Sequence, residues 1–564
     1  MASRLRSALA LLLVATGCGG GTRLFPPKEP LWRDPDRRPF EAEPAEYESP
    51  FAWDAANQTV FRPISRFFAV DPAGEAVNVN ALDEVPDSSW FENRIGRFGL
   101  SPAAAASGPC KSPLPDRKGP WVIKAAKPNG FNPGFFIKAS DGKRYLMKFD
   151  GVVEGTRPTA ADVVGTRLFH AAGYHVPCNR IVYFERSILQ IDPEAKSENE
   201  RGEEVKLDSA DLDKVFSKAL RVPDGRYRAS LSLFIEGKPL GPWTYEGRRD
   251  DDPNDVVNHE DRRELRGLGV MAAWLGWFDT REQNTMAAWV KSGNRGYVRH
   301  YLLDVGNAYG SIWEPPMMGR RIGHSYYLDF PYVVEDLLTL GVEERPWDRA
   351  RFGRTGKVFS YFRVEDFDPD LFRPGYPNPA FVRKSERDSA WMARIIARLS
   401  DRHLEAVVRT GLLVPEYESR LLEVLRGRRD VVLRRYLSRL SPLAWPEVRL
   451  RDGRAELCLE DLALHAGVAP RSTRLYAARA YLGSSFEPAD IPSTRYSTDG
   501  RICAPLPNAQ PGSSTIPAPL LVDLTAVTRG ERPTFPARVH LYQYDAGLYR
   551  VVGLERPDSH EPPS

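Results

Sequence analysis

Two short stretches in the middle of the chain, WFDTREQN at residues 277–284 and YLLDVG at residues 301–306, decide which fold is expected. The first follows an apolar segment with helical spacing and precedes a strand-like segment, and it places Asp279 and Asn284 five residues apart. The second is a hydrophobic strand that ends in Asp304 and then glycine, and a predicted hairpin separates the two stretches. An acidic residue at the end of such a strand is suited to deliver a carboxylate to the edge of a cleft.

Upstream, residues 121–150 alternate apolar and polar positions between turn signals, which predicts three antiparallel strands. Gly130 and Gly134 stand in the turn between the first two strands, where glycine lets backbone N–H groups approach a phosphate. Lys148 lies among apolar neighbours near the end of the third strand. We therefore expect its side chain to point into a cleft.

A buried lysine at this position needs an acidic partner. Residues 159–173 have the apolar spacing of a helix, and Asp162 is the acid that this helix offers. Glu154, in the loop before the helix, is the alternative partner.

Phosphoryl transfer requires a loop over the phosphates, a cation with its own carboxylate partner, an orienting carboxylate and metal ligands. The candidates occur in that order: Asp279 and Asn284 match the D-x-x-x-x-N spacing of a kinase catalytic loop, and Asp304 matches the aspartate of D-F-G. With stretches such as RYLMKFD and DTREQNT, the chain resembles the atypical branch of the protein-kinase-like superfamily. That branch includes HipA-type, CotH-type and phosphatidylinositol kinases, and the chain is similar to proteobacterial lipoproteins of this type.

The resemblance covers about residues 75–440 and implies a two-lobed, protein-kinase-like domain of the α+β class, with a β-rich N-lobe and a helical C-lobe. It implies that ATP binds with Mg²⁺ or Mn²⁺ in the cleft. The implied roles are catalysis by Asp279, nucleotide binding by Gly130, Gly134, Lys148 and Asp162, and metal binding by Asn284 and Asp304. The chain departs from the family pattern because it has no His-Arg before Asp279, no glycine triplet and no helix glutamate.

Composition shifts divide the rest of the chain. The predicted regions are a signal peptide at 1–18, a flexible Pro-rich tether at 19–50, an N-terminal extension at 51–120, an N-lobe at 121–236, a C-lobe at 237–445, a β-rich, sandwich-like domain at 446–554 and a disordered tail at 555–564.

The first residues indicate an exported lipoprotein. A short basic stretch precedes an apolar run that is too short to span a bilayer, and small residues then lead to Cys18. This pattern resembles a lipobox, in which the cysteine is acylated and becomes a membrane anchor. The alternative is an ordinary cleaved signal peptide. Since Gly19 is not acidic, the expected location is the outer rather than the inner membrane, with the body outside the cytoplasm.

The cysteine count indicates which disulfides can form, and the net charge bears on which partners the chain can bind. The four remaining cysteines can pair in three ways, and proximity in sequence favours Cys458–Cys503 and Cys110–Cys178 over free thiols. A formal net charge of +3 over 564 residues gives no electrostatic case for nucleic-acid binding.

Two functions remain open from the sequence. In the first, the chain is an envelope kinase whose acceptor is a protein, a lipid or a glycan. In the second, it is an inactive pseudokinase scaffold that binds envelope partners. Fold alone cannot separate them, because function belongs to the site.

Overall fold

The computed structural model describes most of the chain. The described residues are 23–68, 74–127, 133–198, 204–311, 316–353, 355–491, 493–507, 517–545 and 547–563. The predicted signal peptide, Cys18 and Gly130 lie outside them.

The chain is a mixed α/β protein with four sheets among the described residues. It divides into a main unit, Trp32–Val79 with Val85–Leu437, and a second unit, which runs up to Leu31 and includes Asn80–Glu84 and Ser438–Ser564. Several sheets and many helices agree with the predicted α+β class, whereas the two-lobed, kinase-like arrangement stays a prediction.

A seven-stranded sheet dominates the first half of the main unit. Its strands are β1 (Trp121–Ala126), β2 (Gly134–Lys138), β3 (Arg144–Phe149), β4 (Asn179–Phe184), β5 (Leu189–Glu198), β6 (Glu204–Lys206) and β7 (Tyr227–Leu233), in the order β4-β7-β3-β2-β1-β5-β6. β1, β2 and β3 form the antiparallel set that the sequence predicts. One face of the sheet buries apolar side chains such as Trp121, Phe135, Met147 and Phe149. The apolar positions of the alternating pattern therefore form the buried side of the sheet.

The second half of the main unit is mostly helical. The helices of the main unit are α1 (Phe51–Ala56), α2 (Arg62–Phe68), α3 (Pro102–Ser107), α4 (Arg157–Ala172), α5 (Ser209–Lys218), α6 (Arg263–Leu275), α7 (Pro316–Arg321), α8 (Phe330–Leu338), α9 (Pro379–Val382), α10 (Glu386–Ile396), α11 (Asp401–Arg409) and α12 (Pro415–Tyr436). Every residue of α6 is buried, and this helix packs against α10 and α12. α6 ends at Gly276, whose left-handed backbone (φ 62°) turns the chain into the stretch 277–284.

A second, three-stranded sheet carries the hairpin. Its strands are β8 (Lys238–Gly241), β9 (Thr285–Ser292) and β10 (Arg295–Leu302), in the order β10-β9-β8. β9 and β10 pair without a bulge from Thr285↔Leu302 to Ser292↔Arg295. The regular register holds the residues that flank the hairpin side by side.

The segment 32–50 differs from the flexible tether that its Pro-rich composition predicts. Asp36 is buried, and its carboxylate accepts hydrogen bonds from the backbone N–H and the hydroxyl of Ser89 at distances of 2.7–3.0 Å. Phe40 forms a backbone bridge with Gly296 of the hairpin. Its composition predicts that this segment does not bury a core of its own. It is ordered instead because it packs against distant parts of the main unit.

Among its described residues, the second unit contains two antiparallel sheets and one short α-helix, α13 (Leu462–His465). Its strands are β11 (Leu443–Arg451), β12 (Arg454–Asp461), β13 (Arg474–Leu482), β14 (Glu487–Asp490), β15 (Arg495–Tyr496), β16 (Ile502–Pro505), β17 (Ala518–Thr528), β18 (Ala537–Asp545) and β19 (Leu548–Glu555), in the orders β11-β12-β16-β15 and β14-β13-β17-β18-β19. Both sheets contribute to one apolar cluster, for example through Leu457 and Val522. The predicted sandwich-like architecture of this domain stays a prediction.

The first and last described stretches of the chain belong to this second unit. Phe25 is buried, with its ring centroid 4.8 Å from that of His540. The predicted disordered tail is wrong for its first residues, because Arg556 is buried and its Nε lies 3.0 Å from the carboxylate of Asp83.

Both favoured disulfides are present: Cys110–Cys178 in the main unit and Cys458–Cys503 in the second. None of the helices in the described ranges combines the length and apolar character that a bilayer-spanning segment requires.

Candidate functional site

Lys148 is the centre of the candidate site. It stands in β3 opposite Gly134 of β2 on one side and Ser230 of β7 on the other. Its side chain is buried, and Nζ lies 3.0 Å from Oδ1 of Asp304 and 3.6 Å from Oδ2 of Asp162. The lysine therefore points into the interior between the sheet and two carboxylates, as the sequence predicts.

Asp162 reaches this point from α4, the helix that follows the first three strands. Ser230 donates a hydrogen bond to Oδ2 of Asp162 at 3.2 Å, so the carboxylate is held on the side of Lys148. Glu154, the alternative partner, is instead paired with Arg157 and accepts a hydrogen bond from Ser311 at 3.3 Å. The structure thus pairs Lys148 with Asp162, as the first choice from the sequence had it.

Asp304 lies at the open end of the β9–β10 hairpin, two residues after the end of β10. The regular strand register continues one step beyond the last pair, because the backbone N–H of Leu303 donates to the carbonyl of Asn284 at 2.8 Å. Asp304 then adopts a left-handed backbone conformation, φ 46°, which is uncommon outside glycine. This bend turns the chain out of the strand at the position where the carboxylate meets Lys148.

Asp279 and Asn284 lie at the same open end of the hairpin, in the loop that leads into β9. Nδ2 of Asn284 donates to the backbone carbonyl of Asp279 at 2.7 Å and closes the loop between them. Nδ2 of Asn307 donates to Oδ2 of Asp279 at 2.8 Å, and Nε of Arg281 lies 3.1 Å from Oδ1. Both carboxylate oxygens of Asp279 therefore have partners from the chain itself.

Burial and charge set the ionisation of these groups. Burial alone would lower the pKa of Lys148, but Asp162 and Asp304 outweigh it and raise that pKa. Burial raises the pKa of Asp162 against the effect of Lys148. For Asp304 burial opposes ionisation, yet the ammonium groups of Lys148 and Lys127 lower the pKa. The lysine is thus held charged beside at least one ionised carboxylate.

The pKa of Asp279 is raised, first by burial and also by the nearby charge of Asp304, against the effect of Arg281. A carboxyl with a raised pKa is a better proton acceptor when it is ionised. The position of Asp279 and its raised pKa suit a group that accepts a proton from a hydroxyl.

No protein-family model matches this chain, and no curated protein matches it. Among solved structures, two of the Golgi casein kinase match, one of them with Mn/ADP bound. They are 10% and 11% identical to the chain, cover 55% of it and 75% and 76% of their own length, and each has a TM-score of 0.21. A TM-score this low does not define a shared fold.

The predicted glycine turn is described only at its end. Gly134 pairs with Lys148, and a Cβ there would lie 2.3 Å from the carbonyl oxygen of Met147, so the close approach of β2 to β3 requires glycine. The role of this turn over a phosphate stays a prediction, since Gly130 lies outside the described residues.

The donor set suits a divalent cation. The candidate metal ligands Asn284 and Asp304 offer an amide oxygen and a carboxylate, the hard oxygen ligands that Mg²⁺ and Mn²⁺ prefer. Within the described part of the chain, Oδ1 of Asp162 is buried and has no hydrogen-bond partner. A buried carboxylate oxygen without a partner is costly, and a cation at this point would satisfy it.

Sequence reasoning missed the residues that hold Asp279. Arg281 stands inside the stretch WFDTREQN, and Asn307 directly follows the Asp-Val-Gly motif. A polar residue within or next to each motif could therefore have indicated a partner for Asp279. Ser230 gave no comparable signal, because it is one of two serines in β7 and no motif adjoins it.

A further missed feature is a contact that we call the N-terminal strap, residues 49–54. Ser49 donates a hydrogen bond to the carboxylate of Glu282 at 2.9 Å, and Nε2 of Gln283 donates to the backbone carbonyl of Ser49 at 3.0 Å. The guanidinium of Arg281 lies 4.9 Å from the ring centroid of Phe51. The strap therefore touches three consecutive residues of the loop that carries Asp279 and Asn284.

Proposed function

We propose that this chain is an atypical, kinase-like phosphotransferase of the cell envelope. The observation that carries the proposal is the meeting of Lys148, Asp162 and Asp304, which the sheet, a helix and a hairpin bring together from three parts of the chain. A lysine ammonium held between a buried carboxylate and a half-buried one, beside a carboxylate of raised pKa, is the constellation that phosphoryl transfer uses.

Each residue has a defined task in this proposal. Lys148 binds the phosphates of a nucleotide, and Asp162 holds the lysine in place. Asp279 orients an acceptor hydroxyl and takes its proton. Asn284 and Asp304 hold Mg²⁺ or Mn²⁺, which supplies neutralising charge to the phosphates when it is bound.

One observation favours the scaffold alternative. Both oxygens of Asp279 are engaged, by Arg281 and Asn307, so an acceptor hydroxyl has to displace or share one of these contacts. A protein that only binds partners would have no need to release Asp279.

The first experiment is thermal unfolding with Mg²⁺ or Mn²⁺ and ATP, for the wild type and for Asp304→Ala. Ligand at a hundredfold excess over its dissociation constant adds about 2.7 kcal/mol of stability. We expect a metal-dependent shift that Asp304→Ala removes. The absence of a shift with every nucleotide would rule out the kinase proposal and favour the scaffold.

Asp279→Asn then separates catalysis from binding. It should abolish turnover and leave the nucleotide-dependent shift in place, because Asp279 acts on the acceptor rather than on the nucleotide. Full complementation of a deletion strain by Asp279→Asn would contradict catalysis.

We also propose that acylated Cys18 anchors the protein to the outer membrane, with the body outside the cytoplasm. The lipobox-like sequence supports this anchor. Cys18→Ser should release the protein from the membrane fraction, and density fractionation should place the wild type with outer-membrane markers. An unchanged distribution of Cys18→Ser would contradict the anchor.

A further inference from the structure

An extended apolar surface lies on α8 and the turn that follows it. No described side chain of α8 is buried, although this helix is largely apolar. The exposed fractions reach 74% at Leu337, 78% at Leu338 and 88% at Leu340. We call these three residues, with Phe330, Val334 and Val342, the α8 surface. A run of large exposed apolar side chains is rare on a soluble protein and marks a surface that something else covers.

The acidic side chains beside this surface are paired with one arginine, which offsets one of their two negative charges. The carboxylates of Glu335 and Asp336 lie 3.0 Å and 2.7 Å from the guanidinium of Arg345. That guanidinium also lies 4.4 Å from the ring centroid of Tyr332. This pairing lowers the cost of moving α8 towards a medium of low dielectric constant. Since residues 330–342 contain no lysine or arginine, the surface suits an electrically neutral partner rather than an anionic one.

The chain outside the described residues indicates what that partner is. Phe25 is buried in the second unit, and it lies only seven positions after Cys18 in the sequence. A fully extended chain spans at most about 3.5 Å per residue, so these residues reach roughly 25 Å. Trp32, where the main unit begins, is fourteen residues from Cys18 and is held within roughly 50 Å by the same estimate. An acyl group on Cys18 would therefore keep a bilayer close to the protein at a high effective concentration.

The α8 surface also adjoins the candidate site along the chain. Tyr327 and Tyr376 line a small pocket with Asp279 and Arg281. Tyr327 stands only three residues before the first residue of α8. Tyr327, which forms one wall of this pocket, and the apolar helix are thus parts of one continuous segment.

We propose that the α8 surface docks on a zwitterionic lipid bilayer and so presents the pocket at Asp279 to acceptors held in that membrane. The surface shares one feature with a helix that lies in a membrane interface, an exposed apolar face. The inference rests on the proposed anchor at Cys18 and, for the acceptor, on the proposed function of the site.

The test measures binding to phosphatidylcholine vesicles by sedimentation. It uses the mature chain with Cys18→Ser, so that no acyl group contributes. We expect binding of this protein and at least a tenfold weaker partition for Leu337→Ser/Leu338→Ser. The matched control is Leu450→Ser/Leu475→Ser, which removes two leucines of the second unit with exposed fractions of 72% and 56%. The control should bind vesicles as tightly as its parent.

Three outcomes would overturn the inference. The first is that the parent chain does not bind vesicles, and the second is that the two double variants bind vesicles equally well. The third is that the parent chain self-associates in light scattering without binding vesicles, and that Leu337→Ser/Leu338→Ser abolishes this self-association. The last outcome would assign the surface to a second copy of the chain. The nucleotide-dependent thermal shift, measured on the same variants, should not change. A missing shift with intact vesicle binding would contradict the proposed function and leave the docking surface standing.

Discussion

At the scale of single residues, the electrostatics of the site depend on Lys148. Its ammonium is buried and shares two carboxylates that approach from different parts of the chain. A buried ion pair adds little net stability, because desolvation consumes much of the attraction. Removal of one partner is nevertheless costly, because it leaves the other charge buried and uncompensated.

Lys148→Met should therefore lower the free energy of unfolding of the main unit by about 3 kcal/mol. Adding Asp162→Asn should recover part of this loss, because one of the two uncompensated carboxylates is then neutral. Urea unfolding of the single and double variants measures both effects.

Lys124→Met is the matched control for this prediction. Lys124 also stands in the seven-stranded sheet and pairs with Asp192, but its side chain is 47% exposed. An exposed pair contributes less than about 1 kcal/mol. Equal losses for Lys124→Met and Lys148→Met would contradict the view that burial makes the site's ion pair special.

At the scale of structural elements, the N-terminal strap and the hairpin hold the loop of residues 279–284 from two sides. The hairpin register fixes Asn284 beside Leu303, and the strap contacts Arg281, Glu282 and Gln283. The loop is therefore positioned by elements far from it in sequence, although it lies at the protein's proposed catalytic centre.

Glu282 makes the strap contact sensitive to pH. Burial, with the charge of Asp54, raises the pKa of Glu282 from 4.5 to about 7. Between these values the folded protein keeps a proton that the unfolded chain has released, so this group lowers stability as pH rises through the window. At pH values below the window it contributes no such penalty.

Glu282→Gln removes this titration. We expect the free energy of unfolding of the variant, relative to the wild type, to increase by roughly 2 kcal/mol between pH 5 and pH 8. Urea unfolding at several pH values measures the difference. Glu416→Gln, at an exposed position of α12, is the control and should show no such trend. A difference that is constant with pH would contradict the assignment to Glu282.

At the scale of the whole molecule, each of the two units contains one disulfide. Cys458 and Cys503 are cross-strand partners in β12 and β16, and their bridge closes a loop of 45 residues. A cross-link of this length restricts the unfolded chain, and the chain-entropy argument assigns it about 4 kcal/mol.

Cys458→Ala/Cys503→Ala should accordingly destabilise the second unit by about 4 kcal/mol or somewhat less. The nucleotide-dependent shift of the main unit should be retained. Calorimetry that resolves separate transitions for the two units measures this. A loss of the nucleotide response would show that the second unit supports the candidate site.

Much of the fold followed from local pattern. The alternation in residues 121–149 and the helical spacing around Asp162 predicted β1–β3 and α4, because both periods report which side of an element is buried. The candidate site residues were also chosen from the sequence, since chemistry restricts which residue types can serve such a site. They are Lys148, Asp162, Asp279, Asn284 and Asp304.

The sequence by itself thus indicated the mixed content of helices and strands, favoured one of three pairings of the cysteines and supplied the candidate charged groups. Only the tertiary structure decided that residues 32–50 pack on the main unit, that Asn307 and Arg281 hold Asp279, and that α8 leaves its apolar side chains exposed. The strap contact shows the reason: Ser49 and Glu282 are 233 residues apart, so no local period relates them. Burial is a property of the partner surface as well as of the segment, and that surface exists only after the chain has folded.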